Sequence, residues 1–267
     1  MNKAAITPIA QAATLLADNR LRLGRLASLP ETCRPATEDA AYAVQFALRE
    51  RLSAAGHGTL AGYKIGATSK VMQDYLRIYN PCGGSILTAG IHHAPAVLAH
   101  EAYVSPGVEC EIAVRLGADL PPELAPFTHE KIAAAVAECM AGIEIVDDRY
   151  LHWQTLDTPT LIADDFFHAG VVLGPPNADW RQLDLSTLRG AMLINSEEVG
   201  QGKGDDVLGH PLTALVWLAN CLARYGMGLQ AGQIVMTGSI VATRWVHRGD
   251  RVAVKLDGLG TALVEFA

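Results

Sequence analysis

A chain of 267 residues, half of them hydrophobic, is long enough to bury one large core with room for a small N-terminal annex. Its formal net charge of −7, with no basic cluster, speaks against a nucleic-acid partner. Five scattered cysteines, odd in number and without a Cys-x-x-Cys pair, fit a reducing cytoplasm better than a disulfide framework or a zinc site. The N-terminal stretch reads as an amphipathic helix rather than a signal peptide. The longest apolar run, residues 212–223, is too short to span a bilayer, so no membrane partner is expected.

In chain order, residues 4–28 and 37–55 read as helices, the second capped by Thr37 with Asp39 and stopped at Gly56. Residues 58–69 turn strand-like and glycine-rich, 69–76 form a short helix, and 79–85 (YNPCGGS) read as a loop by their Pro and Gly content. From residue 108 strand patterns dominate, at 108–116, 142–147, 170–174, 191–195, 233–241, 251–256 and 261–266. Helices at 129–140 and 211–225 interrupt them, the latter introduced by His210-Pro211. Many short strands with Gly and Pro turns predict an α+β fold on mixed, largely antiparallel sheets. The expected division is a helical segment, 1–57, and a main domain, 58–267.

The chemistry is concentrated on two strands. In 108–114 Val108, Cys110, Ile112 and Val114 share one face while Glu109 and Glu111 share the other, the period-2 pattern of a half-buried strand. The apolar, β-branched run 142–147 carries a third acid, Glu144. Two carboxylates ~4 Å apart repel by roughly 4 kcal/mol at an effective dielectric of ~20. A hard divalent cation removes that cost, and carboxylate oxygens suit Mg²⁺ or Mn²⁺. Spacing alone leaves solvated acids on an exposed sheet face as the alternative.

Several blocks, taken together, resemble the 2-keto-4-pentenoate hydratase/4-oxalocrotonate decarboxylase family of the fumarylacetoacetate hydrolase superfamily. They are 62–69 (GYKIGATS), the Glu-x-Glu strand, Gly142-Ile143-Glu144 with Asp147, Ile162-Ala163-Asp164, His210-Pro211 with 217–220 (WLAN), 232–239 (GQIVMTGS) and Arg248-Gly249-Asp250. The resemblance implies the superfamily's β-roll behind an N-terminal helical segment. It implies Mg²⁺ or Mn²⁺ on Glu109, Glu111 and Glu144, and a small 2-oxo or 2-hydroxydienoate acid from aromatic catabolism as substrate. Hydratases of the family add water to the dienoate; close relatives decarboxylate a 2-oxo-3-enedioate. Both reactions pass through an enolate or dienolate.

The same residues carry roles from chemistry. Lys64, among apolar neighbours, is expected to lose proton affinity by desolvation and to serve in acid–base steps, or to pair with the substrate carboxylate; a snorkelling surface lysine is the bland alternative. Thr237, Gly238 and Ser239 end a strand where hydroxyls and close backbone approach suit a carboxylate, or make an ordinary turn. Asp164 either orients a water or neighbour, or caps a loop. Asp147, Asp148 and Arg149 form a supporting ion-pair network or a plain surface bridge, and His210 reads as structural.

Two positions depart from the family pattern. Cys82 stands where many hydratases carry an Asp, and a neutral thiol is a poor substitute for a carboxylate. After Asp164 the family continues with Asn and small residues; here Asp165-Phe166-Phe167-His168 follows, narrowing the pocket and adding a group that titrates near neutrality. These changes point to an altered substrate or reaction within the family, with Cys82 and His168 as further candidates for the chemistry. Hydration leads, decarboxylation follows, and C–C hydrolysis of a β-diketone, which needs a base such as a His–Glu pair, ranks third. A non-catalytic partner subunit is the reading from another class, opposed by the intact acids and Lys64. Apolar N-terminal helices suit a homo-oligomer, and the family also forms complexes between pathway enzymes.

Overall fold

The computed structural model describes residues 7–267. α1 spans Pro8–Leu21 and α2 spans Glu38–Leu52. Each begins where a threonine hydroxyl, Thr7 or Thr37, accepts the N–H three residues on, satisfying an otherwise orphaned donor. Residues 4–6 of the expected first helix lie outside the described residues. Its expected end at 28 is corrected to Leu21, because Arg22 caps the helix and Leu23 turns left-handed at φ 51°. Gly56, at φ 97°, closes the wider turn after α2.

β1 (Leu60–Gly66), α3 (Lys70–Leu76), β2 (Cys82–Leu87), β3 (Ile91–His93), β4 (Ala96–Leu98) and β5 (Pro106–Leu116) follow. Next come α4 (His129–Ala135), β6 (Val136–Asp147), α5 (Thr158–Ala163), β7 (His168–Leu173), β8 (Arg189–Ile194) and β9 (Glu197–Lys203). The chain ends with α6 (Pro211–Arg224), β10 (Ile234–Trp245), β11 (Arg251–Leu256) and β12 (Gly260–Phe266). A seven-stranded sheet runs β2-β1-β10-β5-β6-β7-β3 and a five-stranded sheet β4-β12-β11-β8-β9. β1–β10, β3–β7 and β4–β12 are parallel, and the other pairings are antiparallel. The mixed, largely antiparallel expectation holds.

Two local expectations are corrected. Residues 82–87 are a strand, not a loop: Gly83 and Gly84 pair with Ile65 and Lys64, and a Cβ on Gly84 would stand 3.0 Å from the Lys64 side chain. Here glycine marks close approach rather than a turn. The helix expected over 129–140 stops at Ala135 because Glu138 to Asp147 ladder against β5; long-range pairing overrides helical propensity. β3, β4, α5 and β9 were not legible in the sequence pattern.

The alternation of β5 sorts the interior. Val108, Cys110, Ile112 and Val114 enter the main core with α6 and the smaller sheet. Ala113, Met140, Met236, Val171 and Ile86 form a small apolar cluster on the other face, the face on which the acids stand. The large sheet curls on itself, and the turn before β7 is tied to β2 by Ser85 N–H donating to Asp165 Oδ1 at 2.9 Å. α1, α2 and α5 pack together as a separate apolar cluster that includes Cys82 and Phe166.

Candidate active site

Antiparallel register sets Glu109 opposite Glu144 and Glu111 opposite Gly142, so three acids from two strands converge on one face. One oxygen from each of Glu109, Glu111 and Glu144 lies within 4.8 Å of the others. Glu111 and Glu144 are fully buried and Glu109 partly so. Glu111 Oε2 accepts the Gly238 N–H at 2.8 Å. Gly238 sits at φ 116°, with Thr68 Oγ1 2.4 Å from where a Cβ would be, so only glycine fits. Thr243 donates its hydroxyl to Glu109. Glu111 Oε1 and Glu144 Oε2 have no hydrogen-bond partner among the described residues. Buried oxygens left orphaned in a cluster of hard donors fit a divalent cation.

Lys64 reaches this cluster from β1. Its Nζ lies 3.2 Å from Glu144 Oε1, donates to Phe166 O at 3.3 Å and sits 5.7 Å from the Phe166 ring centroid. His168 Nδ1 meets the same Glu144 Oε1 at 2.9 Å. Three consecutive left-handed residues, Asp165, Phe166 and Phe167 (φ 49°, 51° and 69°), deliver the Phe166 carbonyl and ring to Lys64. Such backbone costs of order 1–3 kcal/mol per residue and persists only where the surroundings over-determine it. Phe167 packs against Tyr150 and Trp153.

The carboxylates do not titrate alike. Burial first, then the charges of Glu144 and Glu109, pushes Glu111 well above the usual carboxylate range. Burial also acts to raise Glu144, but the Lys64 charge and the His168 hydrogen bond outweigh it and hold it low. Burial acts to lower Lys64, and the three acids overcome it, Glu144 most strongly, so its proton is held more tightly than usual. The expected loss of proton affinity at Lys64 is thereby reversed: carboxylates, not apolar groups, are its nearest neighbours.

The remaining expected residues lie elsewhere or are spent internally. Asp164 is a buried member of an ion-pair network, with Arg20 Nε at 2.7 Å and Arg149 Nη2 at 3.2 Å. Cys82 is fully buried beside Gly66 on β2, and burial pushes its thiol up, so it remains protonated. The Thr237 hydroxyl donates to Ile112 O at 2.9 Å. Ser239 accepts the Cys110 N–H at 3.2 Å and donates to Val241 O at 2.6 Å. The carboxylate cradle expected from Thr237 to Ser239 therefore spends its donors on the β5–β10 bulge and on Glu111. Asp147 accepts the Val104 and Ser105 N–H groups, and Arg149 turns to Asp164 rather than to the acid cluster. His210 Nδ1 accepts the Leu212 N–H at the start of α6. Sequence reasoning missed the Phe166 carbonyl and Thr243, since backbone atoms and a lone hydroxyl carry no pattern. No helix among the described residues is long and apolar enough to cross a membrane.

Comparison with known proteins agrees with this geometry. Residues 85–266 match the fumarylacetoacetate hydrolase C-terminal family model. The chain is 34% identical to 2-keto-4-pentenoate hydratase 1 of Dechloromonas aromatica, covering 100% of both chains. It is 32% identical to a 4-oxalocrotonate decarboxylase of Pseudomonas putida over 85% of this chain and 84% of that one. The structure of 4-oxalocrotonate decarboxylase from Pseudomonas putida G7, complexed with magnesium and adipate, superposes with a TM-score of 0.92 at 27% identity over 100% of both chains. A β-roll of this topology with full-length relatives of both activities places the chain in the 2-keto-4-pentenoate hydratase/4-oxalocrotonate decarboxylase family of the fumarylacetoacetate hydrolase superfamily.

Proposed function

We propose that the protein is a divalent-metal-dependent lyase acting on a small 2-oxo or 2-hydroxydienoate acid of aromatic catabolism, most simply a hydratase that adds water to the dienoate. The observation that carries this reading is the convergence of Glu109, Glu111 and Glu144, with two orphaned oxygens, beside the Lys64 ammonium. Glu109, Glu111 and Glu144 would hold Mg²⁺ or Mn²⁺, which when bound supplies Lewis-acid stabilisation of developing enolate charge. Lys64, held by Glu144 and the Phe166 carbonyl, presents a fixed cation to the substrate carboxylate, a role that its tightly held proton suits. His168, bonded to Glu144, orients that carboxylate. The Phe166 ring limits water beside Lys64, and the bulge from Thr237 to Ser239 aims Glu111. The five free cysteines suit a reducing cytoplasm, and a homo-oligomer is the proposed assembly.

Decarboxylation of a 2-oxo-3-enedioate is the second reading. The protonated, buried Cys82 favours it, since the carboxylate expected of a hydratase is missing there. One assay decides between them. With Mg²⁺, 2-hydroxypenta-2,4-dienoate and 2-oxohex-3-enedioate are offered separately while dienoate absorbance and CO₂ are followed. Loss of the dienoate without CO₂ is the expected result. CO₂ from the diacid with no hydration overturns hydration in favour of decarboxylation, and turnover of neither sinks both.

A further inference from the structure

The acid cluster opens toward one end of the large sheet. Of its three carboxylates, Glu111 and Glu144 are fully buried and only Glu109 is partly exposed, so a ligand seated there extends outward on the Glu109 side. Two residues before Glu109, a row crosses four strands. Trp245 on β10 pairs with Gly107 on β5, Gly107 with Val146 on β6, and Val146 with His168 on β7. Residues two apart on a strand share a face, so Gly107 and its ladder partners stand on the side of the acids.

The Trp245 indole lies over Gly107. A Cβ on Gly107 would stand 2.9 Å and 3.0 Å from two ring carbons and 3.1 Å from the Thr243 methyl, and Thr243 is the residue that donates to Glu109. The ring takes the space that a side chain at 107 would fill. It is diagonal to Glu109 across the ladder, a separation that an aromatic side chain spans. Trp245 is 47% exposed, whereas Val246 after it is buried in the main core. An indole held on one side and open on the other keeps a free face of carbon, and such rings are enriched where ligands and partners are recognised.

The rest of the row sets the chemistry that this face meets. Val146 is apolar, and His168 uses Nδ1 on Glu144. Arg244, beside Trp245 in the chain, pairs with Val108 on the core side and gives Nη2 to Val199 O. The row offers carbon surface and no fixed cation for a second carboxylate.

We propose that Trp245 is a specificity-determining residue whose ring packs on the tail of the bound acid and selects an uncharged alkyl or alkenyl tail over one that ends in a carboxylate. This role rests on the reading of the acid cluster as the seat of the acid's 2-oxo head, and it adds which tail that acid carries.

Calorimetric titration of the Mg²⁺-loaded protein with pyruvate, 2-oxohexanoate and 2-oxoadipate tests it. These saturated acids present no dienoate to hydrate, so binding is read without turnover. 2-Oxohexanoate is expected to bind about tenfold more tightly than pyruvate, because its three added carbons leave water on one face, and more tightly than 2-oxoadipate. Trp245→Ala is expected to shrink both preferences to about twofold or less as that apolar contact goes, and Trp245→Phe to keep part of them. A merely structural role would weaken all three acids alike and leave the preferences standing. Gly107→Ala, whose Cβ pushes the ring aside, is expected to erode them too, and it decides the matter should Trp245→Ala fail to fold. Equal affinities, a preference for 2-oxoadipate, or preferences that survive Trp245→Ala overturn the role of Trp245; loss of binding in Glu111→Gln would in those cases still uphold the seat for the head. If none of the acids binds the loaded wild type, the acid cluster is not that seat and both fall together.

Discussion

Two buried charge clusters stand side by side in this protein, built from the same residue types but resolved in opposite ways. Around Asp164 and Asp165, two carboxylates meet Arg20 and Arg149, and the short contacts match acid to base. Around Glu144, three carboxylates meet one lysine, and two oxygens go without partners. Burying a charge is tolerable when geometry and partners compensate it. The first cluster is compensated from within the chain and ties α1 to the turn before β7. The second is compensated only in part from within the chain, by Lys64 and His168 on Glu144. A buried ion network is structural when it closes on itself, and it becomes a candidate for chemistry when it does not.

Substitution should separate the two clusters, first by activity. Glu111→Gln should cut kcat by about 10⁴-fold, ~5 kcal/mol of transition-state stabilisation, while its melting temperature in chelator stays level or rises because an uncharged amide replaces an acid whose ionisation burial and its neighbours already oppose. A matching loss of stability would show that the acid cluster is structural after all. Asp164→Ala should do the reverse. It leaves Arg20 and Arg149 buried without a counter-charge and should cost about 3–5 kcal/mol in urea unfolding, with Mg²⁺ stoichiometry retained.

Ligand linkage gives a smaller contrast. Mg²⁺ at 100 times its Kd should stabilise the wild type by about 2.7 kcal/mol and leave Glu111→Gln unmoved; equal shifts would place the ion elsewhere. Acid titration gives the smallest. Burial acts to raise Asp164, but Arg149 and Arg20 outweigh it and hold the carboxyl below its ordinary value. Its contribution is therefore fully present above the unfolded value of about 3.9 and is lost as pH falls through the lower folded value. Urea midpoints of wild type and Asp164→Asn should differ most near neutrality and converge only at strongly acid pH. Convergence already at pH 5 would mean that the network is not what holds Asp164 ionised.

The sequence alone determined the faces on which the acids stand. Alternation along 108–114 separated the acids from the core residues, and the neighbouring strand supplied Glu144, because period-2 geometry is local and leaves its mark in any strand that faces two environments. The cap at Thr37 was legible because capping is likewise local, whereas the cap at Thr7 was not read. What only the tertiary structure decided depends on pairings across long sequence distances. β5 drew residues 136–140 out of a helix and into a strand, and the β1 register turned Gly83 and Gly84 from loop signals into a close-packed strand. Three acids raised the proton affinity of Lys64 where its own neighbours in sequence pointed to a fall. Arg20, 144 residues from Asp164, closed the ion network that leaves the acid cluster as the open one. Charge interactions act through space and not along the chain, so their balance is set only once the sheet has curled.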